Sequence, residues 1–195
     1  MNLYGDVELD ARGMRALAHP VRLAILDQLR SGGPNTATGL APLVGASPSV
    51  TSWHLRHLAE HGLVRDADQR SAGRKRWWEA SSPGFRFSSG DEESRSAALA
   101  LTAALEEVEG DLPAQWREQV EPHLEPEWRR LSGRANTSVA LTLDELAELE
   151  AAYERLLAPY VQRSTRGTPP PDARPVRFLG HTLPGLAPWQ SGEPS

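Results

Sequence analysis

Ser47 to Val64, reading SPSVTSWHLRHLAEHGLV, constrains the chain more than any other stretch. Ser47 can cap a helix with its hydroxyl, Pro48 suits the first helical position, where no amide donor is needed, and His61-Gly62 supplies a stop. This predicts one helix of about four turns. At about 100° per residue, Val50, Leu55 and Leu58 fall on one side with Thr51 among them, while Ser49, Ser52, Trp53 and Arg56 gather on the other. His54 turns inward and His57 lies at the edge. A surface helix ordinarily interleaves Glu and Lys outward, yet no carboxylate precedes Glu60 in the last turn. Such a face tolerates a polyanion.

Upstream, Asn35 or Thr36 can cap a short helix from Thr36 to Val44, and Gly45-Ala46 turns the chain into the longer helix. Two helices joined by a short glycine-containing turn form a helix-turn-helix, whose second helix enters the DNA major groove. Downstream, Leu63-Val64-Arg65 and Arg74-Lys75-Arg76-Trp77-Trp78 are strand-like, with Gln69 to Gly73 as the turn between them. A helix-turn-helix followed by a basic hairpin makes a winged helix.

Five short motifs in order carry a family resemblance: His19 to Leu26 (HPVRLAIL), Thr38 to Ala41 (TGLA), Ser52 to Leu58 (SWHLRHL), His61 to Val64 (HGLV) and Gly73 to Trp78 (GRKRWW). Together they resemble the ArsR-type winged helix-turn-helix transcriptional regulators, from Leu9 to Ala80. The resemblance implies a homodimer that binds specific double-stranded DNA, commonly a repressor released by a ligand or metal. In the family a helix placed like residues 91–112 pairs with its copy in the other subunit. Periodicity alone fits packing within one subunit equally well. The cysteine-thiolate metal site of some relatives is ruled out, since the chain has no cysteine.

The net charge of -5 argues against DNA until it is divided. Residues 1–90 carry 11 Lys and Arg against 8 Asp and Glu, whereas 91–195 carry 10 against 18. The basic surplus lies with the winged helix, as a local phosphate-binding face requires. The absence of cysteine also excludes disulfides. The opening MNLYGDVELD has no basic region followed by an apolar run, so a soluble, cytoplasmic protein without a membrane partner is expected.

Along the chain, apolar positions between Ala11 and Arg30 recur at helical spacing, and His19-Pro20 splits them into two helices. Ser81 to Gly90 marks a boundary near residue 88, with Phe85 and Phe87 as anchors. Asp91-Glu92-Glu93 opens a helix whose stripe is Leu101, Leu105, Val108 and Leu112. Pro122 and Pro126 break residues 113–131 into two short helices. Thr142 and Glu145 form a capping box for a helix bearing Leu146, Leu149, Tyr153, Leu156, Leu157 and Tyr160 on one side. Asn136–Leu141 reads as strand-like, and Val176–His181 as a second run that could pair with it. The expected architecture is mainly α with a small β part, an α+β protein. Residues 1–88 form a winged helix-turn-helix domain, 91–183 a helical or α+β dimerisation or effector module, and 184–195 a disordered tail.

For base reading the candidates are Ser49, Ser52, Trp53 and Arg56. Arginine bonds a guanine edge through two donors, so Arg56 is the foremost source of specificity. Thr36, Thr38, Arg70, Arg74, Lys75 and Arg76 suit phosphates, with Arg70 or Arg74 reaching the minor groove. The expected operator is an inverted repeat. His54, His57 and His61 are read as packing rather than as a metal site, because no carboxylate or thiolate completes a ligand set. No cofactor is expected, and the absence of a nucleophile elbow or phosphate loop points away from an enzyme. His123, His181, Trp116 and Trp128 fit packing as well as an effector pocket, so an effector stays unspecified. The competing functional class is a winged-helix scaffold for protein partners.

Overall fold

The computed structural model describes residues 3–67, 75–110, 112–165, 167–178 and 180–186. Helices dominate and short strands complete an α+β fold. Compactness divides the chain into Met1–Ser132 and Gly133–Ser195.

In the first unit, β1 (Val7–Glu8) leads to α1 (Ala11–Leu17), capped by Asp10, whose carboxylate accepts from the Gly13 amide at 2.7 Å. His19-Pro20 separates α1 from α2 (Pro20–Gly32) as its chemistry requires. The extended His19 caps α2 by accepting the Val21 amide through Nδ1, and Pro20 takes the first helical position. β2 (Asn35–Thr36) and α3 (Ala37–Leu40) follow, then α4 (Pro48–Glu60), β3 (Val64–Asp66), β4 (Trp77–Ala80) and β5 (Phe85–Arg86). β2, β4 and β3 form an antiparallel sheet with β4 central, in which Arg65 sits opposite Glu79 and pairs with it at 2.7 Å. β1 runs parallel to β5 and ties the N-terminal lead to the end of the wing region.

Leu17, Ile25, Leu26, Leu40, Leu55 and Leu58 form the centre of one continuous core, into which Trp78 seals the sheet. Arg30 pins α2 to the β4–β5 turn, donating from Nε to the Ser82 carbonyl at 3.1 Å with its guanidinium over Phe85. Burial pulls its pKa down to about 10.

α5 (Glu92–Glu109), capped by Asp91, lies against α1 and α2. The first compact unit therefore runs past the boundary expected near residue 88. The helix buries Ala97, Ala98, Leu101 and Ala104, whereas Val108, expected on its inner stripe, is exposed. Leu101 and the half-buried Leu105 keep that stripe on the core, and three small alanines beside them complete the buried face. α6 (Leu112–Gln119), a 3-10 turn at Glu121–His123 and α7 (Pro126–Leu131) complete the unit, with the chain broken at the two prolines as expected.

In the second unit the capping box forms as read. Glu145 N donates to Thr142 Oγ1 at 3.2 Å and Thr142 N donates to Glu145 Oε2 at 2.8 Å, opening α8 (Leu143–Thr165). The two expected strands are corrected: Asn136–Leu141 is coil and joins no sheet, and the same holds for the described residues of 176–181. Each is short and lacks a third strand or sheet edge to join, so ladder bonding has nothing to propagate from. Most of the expected tail, 187–195, lies outside the described residues. No helix among the described residues is long and apolar enough to cross a membrane.

Candidate nucleic-acid interface

The short helix expected over 36–44 is one turn of α-helix, α3, followed by turn at residues 41–45. Thr36 caps it, its hydroxyl accepting from the Gly39 amide at 3.1 Å. Gly45 then reverses the chain at φ 63°, a left-handed conformation that glycine enters without penalty. Ser47 caps α4 by accepting the Val50 amide at 3.3 Å, and Gly62 leaves it at φ 69°.

α4 presents two unlike faces. Leu55 and Leu58 are fully buried, and so is Thr51, whose hydroxyl donates to the Ser47 carbonyl at 3.0 Å. Val50, expected among them, sits in the first turn of α4 and is 45% exposed. Outward lie Ser49, Ser52, Trp53 and Arg56, with Arg56 donating to Ser52 Oγ at 3.3 Å. Trp53 keeps 54% of its surface free. All four expected base-reading side chains thus share one exposed side, and the only carboxylate on α4 is Glu60 in its last turn.

Four of the six expected phosphate contacts join that side. Thr36, Thr38, Lys75 and Arg76 line a shallow pocket of about 220 Å³ together with Ser52 and Arg56. Arg70 and Arg74 lie outside the described residues. Arg76 is held in place rather than free: Nε meets Asp66 Oδ1 at 2.5 Å, an outer nitrogen meets Oδ2 at 3.0 Å, and the guanidinium stacks 3.9 Å from the Trp78 ring centre. That fork holds the Asp66 carboxyl below the usual range.

On the other flank of α4 the sequence reading missed a basic groove. Arg12 and Arg15 of α1 and Arg22 of α2 face Trp53, His57 and His61 across a cavity of about 400 Å³. The three arginines lie outside the helix-turn-helix motif, and only the fold brings them beside it. His54 is buried as expected, its ring 4.7 Å from that of His19 and its Nδ1 without a partner among the described residues. Burial, reinforced by His19, Arg22 and His57, pushes its pKa down to about 4. Among the described residues no three His, Asp or Glu side chains converge as metal ligands would.

A capped helix, a glycine turn, a second capped helix with a carboxylate-poor outer face and a following antiparallel sheet define a winged helix-turn-helix protein. The helix-turn-helix domain family matches residues 17–67, from the end of α1 through β3. The HTH-type transcriptional regulator YgaV of Escherichia coli (strain K12) is 41% identical over 71 residues, covering 34% of this chain and 71% of that protein. The chain belongs to the helix-turn-helix family of transcriptional regulators.

Proposed function

We propose that this chain is an ArsR-type, homodimeric repressor that binds an inverted-repeat operator in double-stranded DNA. α4 occupies the major groove, where Arg56 reads a guanine edge while Ser49, Ser52 and Trp53 contact neighbouring bases. Thr36, Thr38, Lys75 and Arg76, with Arg70 and Arg74, hold backbone phosphates or enter the minor groove. The observation that carries this reading is the outer side of α4: it offers hydroxyls, an indole and a guanidinium, and Lys75, Arg76 and two threonines border it within one pocket. A duplex needs such a face, because each carboxylate there would oppose its phosphates.

Dimerisation is assigned to the outer side of α5, where Leu99 is 64% exposed and Ala100 and Ala103 lie beside it. Residues 1–88 supply the DNA-binding surface and 91–183 the dimer contacts, within the cytoplasm. Selection from a random duplex pool tests the proposal. Enrichment of one inverted repeat, with affinity falling steeply as salt rises, is the expected result. Binding without sequence preference, or none at any salt, overturns it and leaves the scaffold reading.

A further inference from the structure

We propose that the groove between α1, the first turn of α2 and the C-terminal half of α4 binds a small organic anion, one joining a phosphate or carboxylate group to a planar unsaturated body. Its volume of about 400 Å³ lies within the range of small-molecule sites. Three guanidinium groups line it, and only one is balanced: Arg15 pairs with Glu93. Among the described residues no carboxylate pairs with Arg12 or Arg22, and Arg22 holds a buried Nε that has no hydrogen-bond partner. A partly desolvated cation without an anion is costly, and a bound oxyanion offers the guanidinium fork the two acceptors it fits.

The wall of the groove beside these arginines is aromatic. Trp53 and His57 lie nearly parallel, with ring centres 5.7 Å apart and planes 8° from each other. Trp53 is more than half exposed, so a flat ligand can stack on it. A duplex phosphate would satisfy the arginines but bring no planar group, since its bases stay stacked in the helix. Because Trp53 also belongs to the face assigned to base reading, a ligand on the indole would change how α4 meets DNA. Only this coupling rests on the proposed function; ligand binding does not.

The test uses the full chain with labelled indoles, following Trp53 by magnetic resonance and assigning its signal with Trp53→Phe. The probes are phenyl phosphate, benzoate and inorganic phosphate. Phenyl phosphate should shift the Trp53 signal saturably and bind at least tenfold more tightly than inorganic phosphate. Arg12→Gln and Arg22→Gln should each weaken it tenfold or more, while Arg117→Gln, which removes the same charge from α6, changes it less than twofold. Arg12 is exposed on α1, so its variant remains informative should Arg22→Gln fail to fold. Absence of a saturable shift with phenyl phosphate and benzoate overturns the site, as does an equal loss in Arg117→Gln. Equal affinity for inorganic phosphate removes the planar body from the proposal. If the ligand binds the free chain but leaves duplex affinity unchanged, the coupling falls and the site stands.

Discussion

The proposed base reading and phosphate anchoring separate at single side chains. Arg56 is exposed on α4 and only lightly tethered to Ser52, so its fork is available to a base edge. Arg56→Ala should flatten the preference between operator and mismatched duplex by about 1–3 kcal/mol in competition binding, whereas Lys75→Ala should weaken all duplexes alike and reduce the salt slope by about one. His54 acts on stability instead. Its pKa falls from the ordinary 6.5 to about 4 on folding, so the unfolded chain takes up the proton first as pH drops. The stability tied to neutral His54 is therefore complete above pH 6.5 and drains away as pH falls from 6.5 toward 4, by up to about 3 kcal/mol. Denaturant titrations across that window should show a shallower slope in His54→Leu, although His57, also pushed down by burial, keeps part of it.

Among the elements, legibility followed how local the governing chemistry is. The caps at Ser47 and Thr142–Glu145 and the break at His19-Pro20 involve residues within four positions of one another, and each forms as the sequence predicts. The pairing of β1 with β5 joins two-residue strands almost eighty positions apart, with no hydrophobic alternation to announce it. The C-terminal strands failed for the opposite reason: their β-branched residues suit a sheet that the described chain does not build. For the site, periodicity separated the inner and outer sides of α4 except at Val50, because a wheel gives direction but not whether anything packs opposite a given turn. The arginine groove was illegible, since its residues meet only after α1 packs beside α4. Two outcomes follow at this scale. Ser47→Ala should destabilise the protein by about 1 kcal/mol in thermal or denaturant unfolding, because the Val50 amide loses its acceptor. In the wing, Asp66→Asn should strengthen binding to every duplex several-fold at low salt. It removes a carboxylate that both occupies Arg76 and repels phosphates, and filter binding over a salt series reads the change.

At the scale of the whole molecule, the proposed dimer has to reconcile charge and exposed apolar surface with two DNA-reading faces. The basic surplus of residues 1–90 puts the charge that attracts a duplex with the wing and α4, whereas the acidic excess of 91–195 repels phosphates. A dimer then has to place two copies of α4 about one helical turn apart, some 34–36 Å, along the same side of the DNA. α5 suits the joint because it uses an alanine-rich face on its own subunit and leaves Leu99, Ala100 and Ala103 outward, small side chains that permit a second helix to approach closely. Leu99→Glu would place a charge in that contact without touching the buried side chains Ala97, Ala98, Leu101 and Ala104. The variant should remain folded, with helical content and unfolding midpoint close to those of the parent, yet sediment as a monomer. On the inverted repeat it should lose cooperativity while matching the parent's affinity for an isolated half-site, since α4 is untouched. Sedimentation velocity and half-site titrations decide the matter: a Leu99→Glu variant that stays dimeric moves the subunit contact away from α5, and one that loses half-site binding as well shows that α5 supports the winged helix rather than joining two of them.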